Sequence, residues 1–242
     1  MMTPSIRTRP LVALRALVTL SRNPDALPLV FTVIEALPGR SPMKMTAKMW
    51  TIASGRRLLE ARPDLKARLD DRDALRALPE GSLGRAYVAF VEREGISADG
   101  IVEASEVGST GPADIPPDVE YYGDRMRDTH DLWHVVTGFG ADLLGEAALL
   151  AFYFAQTRHP GIGLIASLAV LRRVPGARAA MADAYRRGRR AEWLPGVEWE
   201  ELLALPLSEV RARLNIAAAP AYEPVTSEAM RAAGKLAPRA AA

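Results

Sequence analysis

The chain contains no cysteine. That absence removes disulfides, thiolate-held zinc and thiol nucleophiles together, and any metal must be held by nitrogen and oxygen. It also fits a reducing compartment. No run is long and apolar enough to span a bilayer: the longest, Ile162 to Leu171, is about half of the roughly 20 residues required. Neither sign of charge dominates, with 31 basic against 29 acidic side chains and a net charge of +2, which argues against nucleic acid as a partner. Alternating apolar and polar residues never run long enough for a sheet, and no internal repeat is visible. The absences leave an all-α protein.

What is present supports one globular domain. Hydrophobic residues make up 49% and charged residues 25% of 242 positions, enough to bury a substantial core. The expectation is a single mostly helical domain over 1–216, then an Ala- and Pro-rich tail over 217–242 that is poorly ordered. Arg7, Arg9, Arg15 and Arg22 precede the first acidic residue, Asp25, a composition shared with organelle-targeting segments. Leu11, Leu14, Leu17 and Val18, however, make the stripe of a first helix of the mature domain. Helical periods continue over Leu27 to Leu37, and from Ser41-Pro42 through Ile52. A further helix is expected from Ser82 as cap to Gly95 as stop. The polar segment from Ile96 to Val119 reads as one long connection, of the kind that forms lids or binding loops.

Histidine is scarce, with three in the chain, and two of them fall in YYGDRMRDTHDLWHVVTGFGADLLGE, residues 121–146. His130 and His134 are four apart, about 400° of helical rotation, so both rings face one way and can share one ion. Asp131 lies on the edge of that face. Glu146 on an unbroken helix would stand about 18 Å beyond His134. Gly138-Phe139-Gly140 intervenes, and a turn there folds a second helix back to return the carboxylate. Leu143, Leu150 and Tyr153 share the face of Glu146, so its charge looks inward and needs a positive partner. The reading is His-Asp-x-x-His followed by Glu after eleven residues, a metal site across a helical hairpin. His159 precedes Pro160-Gly161 and reads as a loop histidine outside the site.

The segment RMRDTHDLWHVVTGFGADLLGE resembles the signature of the coenzyme Q biosynthesis protein 4 family. LPEGSLGRAYVAFV before it and WEELLALPLSEVRARLNI after it are similar to further family segments, so the resemblance covers most of residues 10–216. The loop near Ser109 to Pro117 is longer than the family usually carries. The resemblance implies a helical protein of ubiquinone biosynthesis, peripheral on a membrane, with a divalent metal, zinc by resemblance and iron or manganese as alternatives. It implies His130, Asp131, His134 and Glu146 as metal ligands. Two activities are implied as alternatives. One is oxidative decarboxylation of a prenylated hydroxybenzoate, replacing the ring carboxyl by hydroxyl. The other is a non-catalytic, lipid-binding scaffold for the biosynthetic complex.

Two histidines and one carboxylate leave coordination positions open, which suits oxygen chemistry. Asp131 is either a fourth ligand or a nearby catalytic base. Arg125 and Arg127 are candidates for meeting an anionic substrate, with ion pairs to Asp124 and Asp128 as the plain alternative. Similarity to the His-Glu-x-x-His of metallopeptidases is weaker, because Asp131 has a shorter reach than glutamate. The arginines from Arg172 to Arg190 suit a membrane surface or a solvated helix face equally. Expected partners are a prenylated aromatic lipid, other ubiquinone-biosynthesis enzymes and the membrane surface, with room for a homo-oligomer. Arginine greatly outnumbers lysine, as in GC-rich bacteria. The expected location is therefore cytoplasmic, on the inner face of the cell membrane, or the mitochondrial matrix side in a eukaryote.

Overall fold

The computed structural model describes residues 7–95, 98–109, 115–217 and 221–236. Among them are sixteen α-helices and no strand, the single β-type contact being a bridge between Ser82 and Pro206. The all-α expectation holds. The first half runs through α1 (Pro10–Arg22), α2 (Leu27–Ala36), α3 (Ser41–Thr51) and α4 (Ala53–Ala61). Then come α5 (Leu65–Asp70), α6 (Arg72–Arg76), α7 (Leu83–Glu94) and α8 (Ala98–Gly108). The second half comprises α9 (Pro117–Asp128), α10 (His130–Thr137), α11 (Leu143–Thr157), α12 (Pro160–Leu171) and α13 (Ala177–Arg190). Short helices α14 (Trp199–Leu202), α15 (Leu207–Arg213) and α16 (Ser227–Ala232) close the chain.

Local rules account for most of the boundaries. Pro10, Pro117 and Pro160 open α1, α9 and α12, where a missing N–H costs nothing. Ser82 accepts from Arg85 N at 3.4 Å and Gly95 ends α7 at φ 65°, the expected start and stop. The helix read through Ile52 stops one residue earlier. Ile52 is extended, with ψ 146°, and α4 begins at Ala53.

The axis of the fold is α11. Its residues Leu144, Ala147, Ala148, Leu149, Ala151, Phe152 and Ala155 are all buried, and α10, α12 and α13 pack around it. Burying a side chain such as Leu149 or Phe152 contributes about 1.5–3 kcal/mol. Trp133 of α10 locks the first interface, its ring 4.6 Å from that of Tyr153 and 6.0 Å from that of Phe152. The second interface depends on Gly188 of α13. A Cβ there would stand 2.7 Å from the backbone oxygen of Phe152, so only hydrogen lets the helices approach this closely.

Three sequence expectations change. The segment read as one long connection carries α8, docked on α2, where Thr32 Oγ1 donates to Gly108 O at 2.9 Å. Its apolar positions are too few to show a period, and contact with α2 stabilises it instead. Residues 110–114, the middle of the expected long loop, lie outside the described residues. The leucine stripe of α1 faces outward, with Leu11 70% and Leu14 57% exposed. Buried in its place are Ala13, Ala16 and Leu20, the two alanines letting α1 lie close to α2 and α12. Within the tail, residues 221–236 dock on the body and include α16, whose Met230 is buried against Ala147 and Leu144.

Replacing Gly188 by alanine tests the α11–α13 contact. Alanine normally favours a helix over glycine by about 1 kcal/mol. Here the clash with backbone is expected to win, lowering stability by about 1–3 kcal/mol in urea unfolding. A rise in the unfolding midpoint would show that the helices can separate without loss.

Candidate metal centre

The helical line from α9 into α10 is barely interrupted at Thr129. Thr129 N donates to Arg125 O at 2.9 Å and Trp133 N to Thr129 O at 3.1 Å, so the spiral continues and sets His130 and His134 on one face. Gly138 then adopts φ 78°, a left-handed turn that ends α10. Arg211 of α15 secures that end, its guanidinium donating to Val136 O at 2.9 Å and Val135 O at 3.0 Å. Asp142 starts α11 by accepting from Leu144 N at 3.1 Å and Gly145 N at 3.4 Å. Glu146 falls in the first turn of α11 and faces back across the hairpin.

The turn brings Glu146 to both histidines. Its Oε1 lies 3.2 Å from His134 Nε2 and its Oε2 lies 3.8 Å from His130 Nε2. The three donor atoms all fall within 4.8 Å of one another. Two ligands on one tetrahedral ion, at bonds near 2.0–2.1 Å, would stand about 3.4 Å apart. His134 Nδ1 donates to Phe139 O at 3.0 Å, so its Nε2 carries the free lone pair. That Nε2 is sealed from solvent and makes no hydrogen bond, although a carboxylate oxygen is close by. The atoms are at ligand spacing but not in hydrogen-bond alignment, the arrangement expected of groups meant to share a third atom. The residues fit a divalent cation.

Asp131 stands behind His130 rather than within this trio. It is buried, with Oδ1 3.2 Å from His130 Nδ1, so it orients that ring as the Phe139 carbonyl orients the other. Burial alone would lower the His130 pKa, but the hydrogen bond to Asp131 and the charges of Glu146 and Asp131 prevail and raise it. Burial alone would raise the Glu146 pKa, but the two imidazoles bring it down to about 2. The carboxylate is therefore ionised throughout the neutral range.

The two arginines differ in fate. Arg125 turns away from the cluster and is only 3% exposed. It holds Glu200 with two parallel bonds, 2.9 and 2.8 Å, and donates to Val197 O at 3.0 Å. It binds α9 to α14 and does not face a substrate, contrary to the sequence expectation. Arg127 remains beside the site, paired with Asp128 at 3.0 Å and Asp124 at 2.9 Å. His159 is the residue at which α12 starts and is buried in the cavity wall.

His130 and Glu146 form part of the wall of a cavity of about 1190 Å³. Most of its lining is apolar, including Val30 and Ile34 of α2, Met126 of α9, Leu150 of α11, and Ile162 and Ile165 of α12. Two of the three side chains, His130 and Glu146, are thus accessible from a large greasy interior.

Sequence reasoning missed the clamp that fixes the turn. Tyr222 donates to Asp142 Oδ2 at 2.7 Å and accepts from Gly140 N at 2.9 Å, while Val225 N donates to Asp142 Oδ1 at 2.8 Å. Asp142 before an apolar run is a visible cap signal. Tyr222 lies 80 residues further on, and nothing local marks it.

These features define a class: a helical protein with two imidazoles and a carboxylate gathered together, one imidazole and the carboxylate lining an apolar cavity. The sequence profile described as Coenzyme Q (ubiquinone) biosynthesis protein Coq4 matches residues 5–220, and the chain belongs to that family. It is 33% identical over 178 residues to the mitochondrial ubiquinone biosynthesis protein COQ4 of Yarrowia lipolytica, covering 72% of this chain and 65% of that protein. The protein of the same name from Talaromyces stipitatus is 36% identical over 177 residues, with coverage of 71% and 59%. The chain thus spans somewhat less than two thirds of these relatives' length. A crystal structure from Nostoc punctiforme, of a protein provisionally assigned to ubiquinone biosynthesis, superposes with a TM-score of 0.62 at 25% identity. That match covers 86% of this chain and 98% of the other.

Two substitutions separate the roles. Glu146→Ala is expected to reduce divalent metal retained through purification to background, measured by mass spectrometry of the metal, with helical content unchanged. Metal content equal to that of the unaltered chain would remove Glu146 from the ligand set. Arg125→Ala leaves Glu200 without its partner and is expected to cost about 3 kcal/mol of stability. Metal content should stay the same in that variant, because the guanidinium does not face the trio.

Proposed function

We propose that the protein carries out oxidative decarboxylation of a prenylated hydroxybenzoate in ubiquinone biosynthesis. The observation that carries the reading is the position of His130 and Glu146, two members of the trio, on the wall of a large apolar cavity, with His134 directly behind them. A purely structural metal is normally sealed by protein on all sides, whereas a catalytic one keeps an accessible face. The cavity exceeds the roughly 300–1,000 Å³ of ordinary small-molecule sites and suits an aromatic acid with an isoprenoid tail.

His130, His134 and Glu146 would hold the metal. When bound, it would supply a Lewis acid for the substrate's carboxylate and ring oxygen and, as iron or manganese, access to oxygen chemistry. In the overall change the bond from ring to carboxyl carbon breaks and carbon dioxide leaves. A new bond from the same ring carbon to oxygen forms, and two electrons pass to an oxidant of the dioxygen class. The chain's own groups prepare this event. Asp131 and the Phe139 carbonyl hold each imidazole with its Nε2 lone pair toward Glu146. Asp131 is outside the cavity lining, which favours positioning of His130 over a direct role as base. Ile34, Leu150, Ile162 and Ile165 keep water from the reacting face and cover the tail.

Residence on a membrane surface is part of the proposal. No described helix is long and apolar enough to cross a bilayer. Leu11, Leu14 and Val18 on α1 and Leu171 on α12 are exposed, beside Arg15 and Arg22, a mixture that suits an interface with acidic lipid. Part of the basic region serves other ends: Arg172 caps α1 through Ser21 O and Leu20 O, and Arg187 pairs with Asp183. The same cavity also favours a second reading, a lipid-holding organiser for other enzymes of the pathway. Purified protein supplied with iron, manganese or zinc, dioxygen and a prenylated dihydroxybenzoate decides between them. The expected product has lost carbon dioxide and gained one oxygen, seen by mass spectrometry. Tight binding of the acid without turnover under any metal would leave the organiser.

A further inference from the structure

Beyond the metal trio, the cavity wall carries three polar side chains that the chemistry above does not use. They are Tyr122 of α9, Tyr153 of α11 and His159 at the start of α12. All are at least nine-tenths buried, with exposures of 5%, 9% and 5%. Among the described residues, neither tyrosine hydroxyl has a hydrogen-bond partner, and His159 Nδ1 is sealed and unpartnered. An unmet polar atom in an apolar wall is unfavourable, and two hydroxyls lining one cavity, with the His159 ring also in its wall, indicate a shared partner that enters it.

Their placement is specific. Tyr122 precedes His130 by eight residues and Tyr153 follows Glu146 by seven, on the two arms of one hairpin. At about 1.5 Å of rise per residue, each stands roughly 10–12 Å along its helix from the metal trio. The phenols are near enough that a charge on Tyr122 would oppose ionisation of Tyr153, whose pKa burial already raises. Burial also holds the His159 imidazole neutral, near about 4. The tyrosines offer hydroxyl donors and His159 a neutral imidazole to a neutral oxygen.

We propose that Tyr122, Tyr153 and His159 form a second polar station in the cavity, one that hydrogen-bonds a neutral ring oxygen of a prenyl lipid, either a phenol hydroxyl or a quinone carbonyl. The inference rests on reading the cavity as a lipid site, but not on any reaction at the metal.

Binding to the full-length, metal-loaded chain tests it without turnover. The probes are a farnesylated phenol, a farnesylated benzoquinone and farnesane, the saturated tail with no head oxygen, titrated against tryptophan fluorescence and by calorimetry. The ring of Trp133 lies against Tyr153 and reports directly. The double variant Tyr122→Phe, Tyr153→Phe keeps both rings and removes both hydroxyls. Its affinity for the phenol and the quinone is expected to fall by about tenfold or more, with farnesane binding changed less than about twofold. His159→Gln is expected to weaken the two oxygenated probes selectively as well. Unchanged affinity for phenol and quinone in the double variant would overturn the station, the hydroxyls then being served by water. Equal weakening of all three probes would also overturn it, since only packing would have changed. Failure of the unaltered chain to bind any probe would remove the lipid cavity itself. Absence of decarboxylation with selective binding intact would overturn the reaction and leave the station standing.

Discussion

A carboxylate facing two imidazoles across a glycine turn is the constraint on which the structure depends. Glu146 is ionised and 35% exposed, set in a largely apolar helix, so its charge calls for a positive partner. A cation shared with His130 and His134 would be that partner, and bringing the three side chains together demands accuracy from four pieces of backbone. The α9–α10 line must keep its spiral through Thr129, Gly138 must turn left-handed, Asp142 must start α11, and Arg211 must hold the end of α10.

The helices that assemble the trio also wall the cavity. Met126, Leu150 and Tyr153 line it from the same α9 and α11 that carry the turn. Rigidity is concentrated where Trp133 packs on Tyr153 and Phe152, and where Gly188 lets α13 rest on α11. The cavity wall is mixed: Glu146 and His130, the phenols of Tyr122 and Tyr153, the His159 ring and several arginines are set among apolar side chains.

Much of the site was legible before any coordinates. Spacing of four placed His130 and His134 together, and Gly138-Phe139-Gly140 announced the turn that returns Glu146. These are short-range relations, fixed by the helical repeat and by the backbone freedom of glycine. Arg125 was misjudged for the opposite reason. Its position one turn before the histidines says nothing about Glu200, 75 residues away, which captures it. The α1 stripe was visible as a period, yet period alone cannot say which face is covered when alanines on the other side permit closer packing. The segment holding α8 lacked a clear stripe because α2, not its own pattern, holds it in place.

By itself, then, the amino-acid order determined the helical class, the three side chains of the candidate site and the hairpin that joins them. Each follows from bonds or rotations spanning a few residues, where backbone geometry leaves few choices. Tertiary structure alone decided that Tyr222 would clamp Asp142, that Arg125 would serve as an internal tie, and that Tyr122, Tyr153 and His159 would share one cavity. Those meetings join residues from separate helices. Which of them occurs depends on how all the apolar faces pack at once, a sum no local stretch of chain contains.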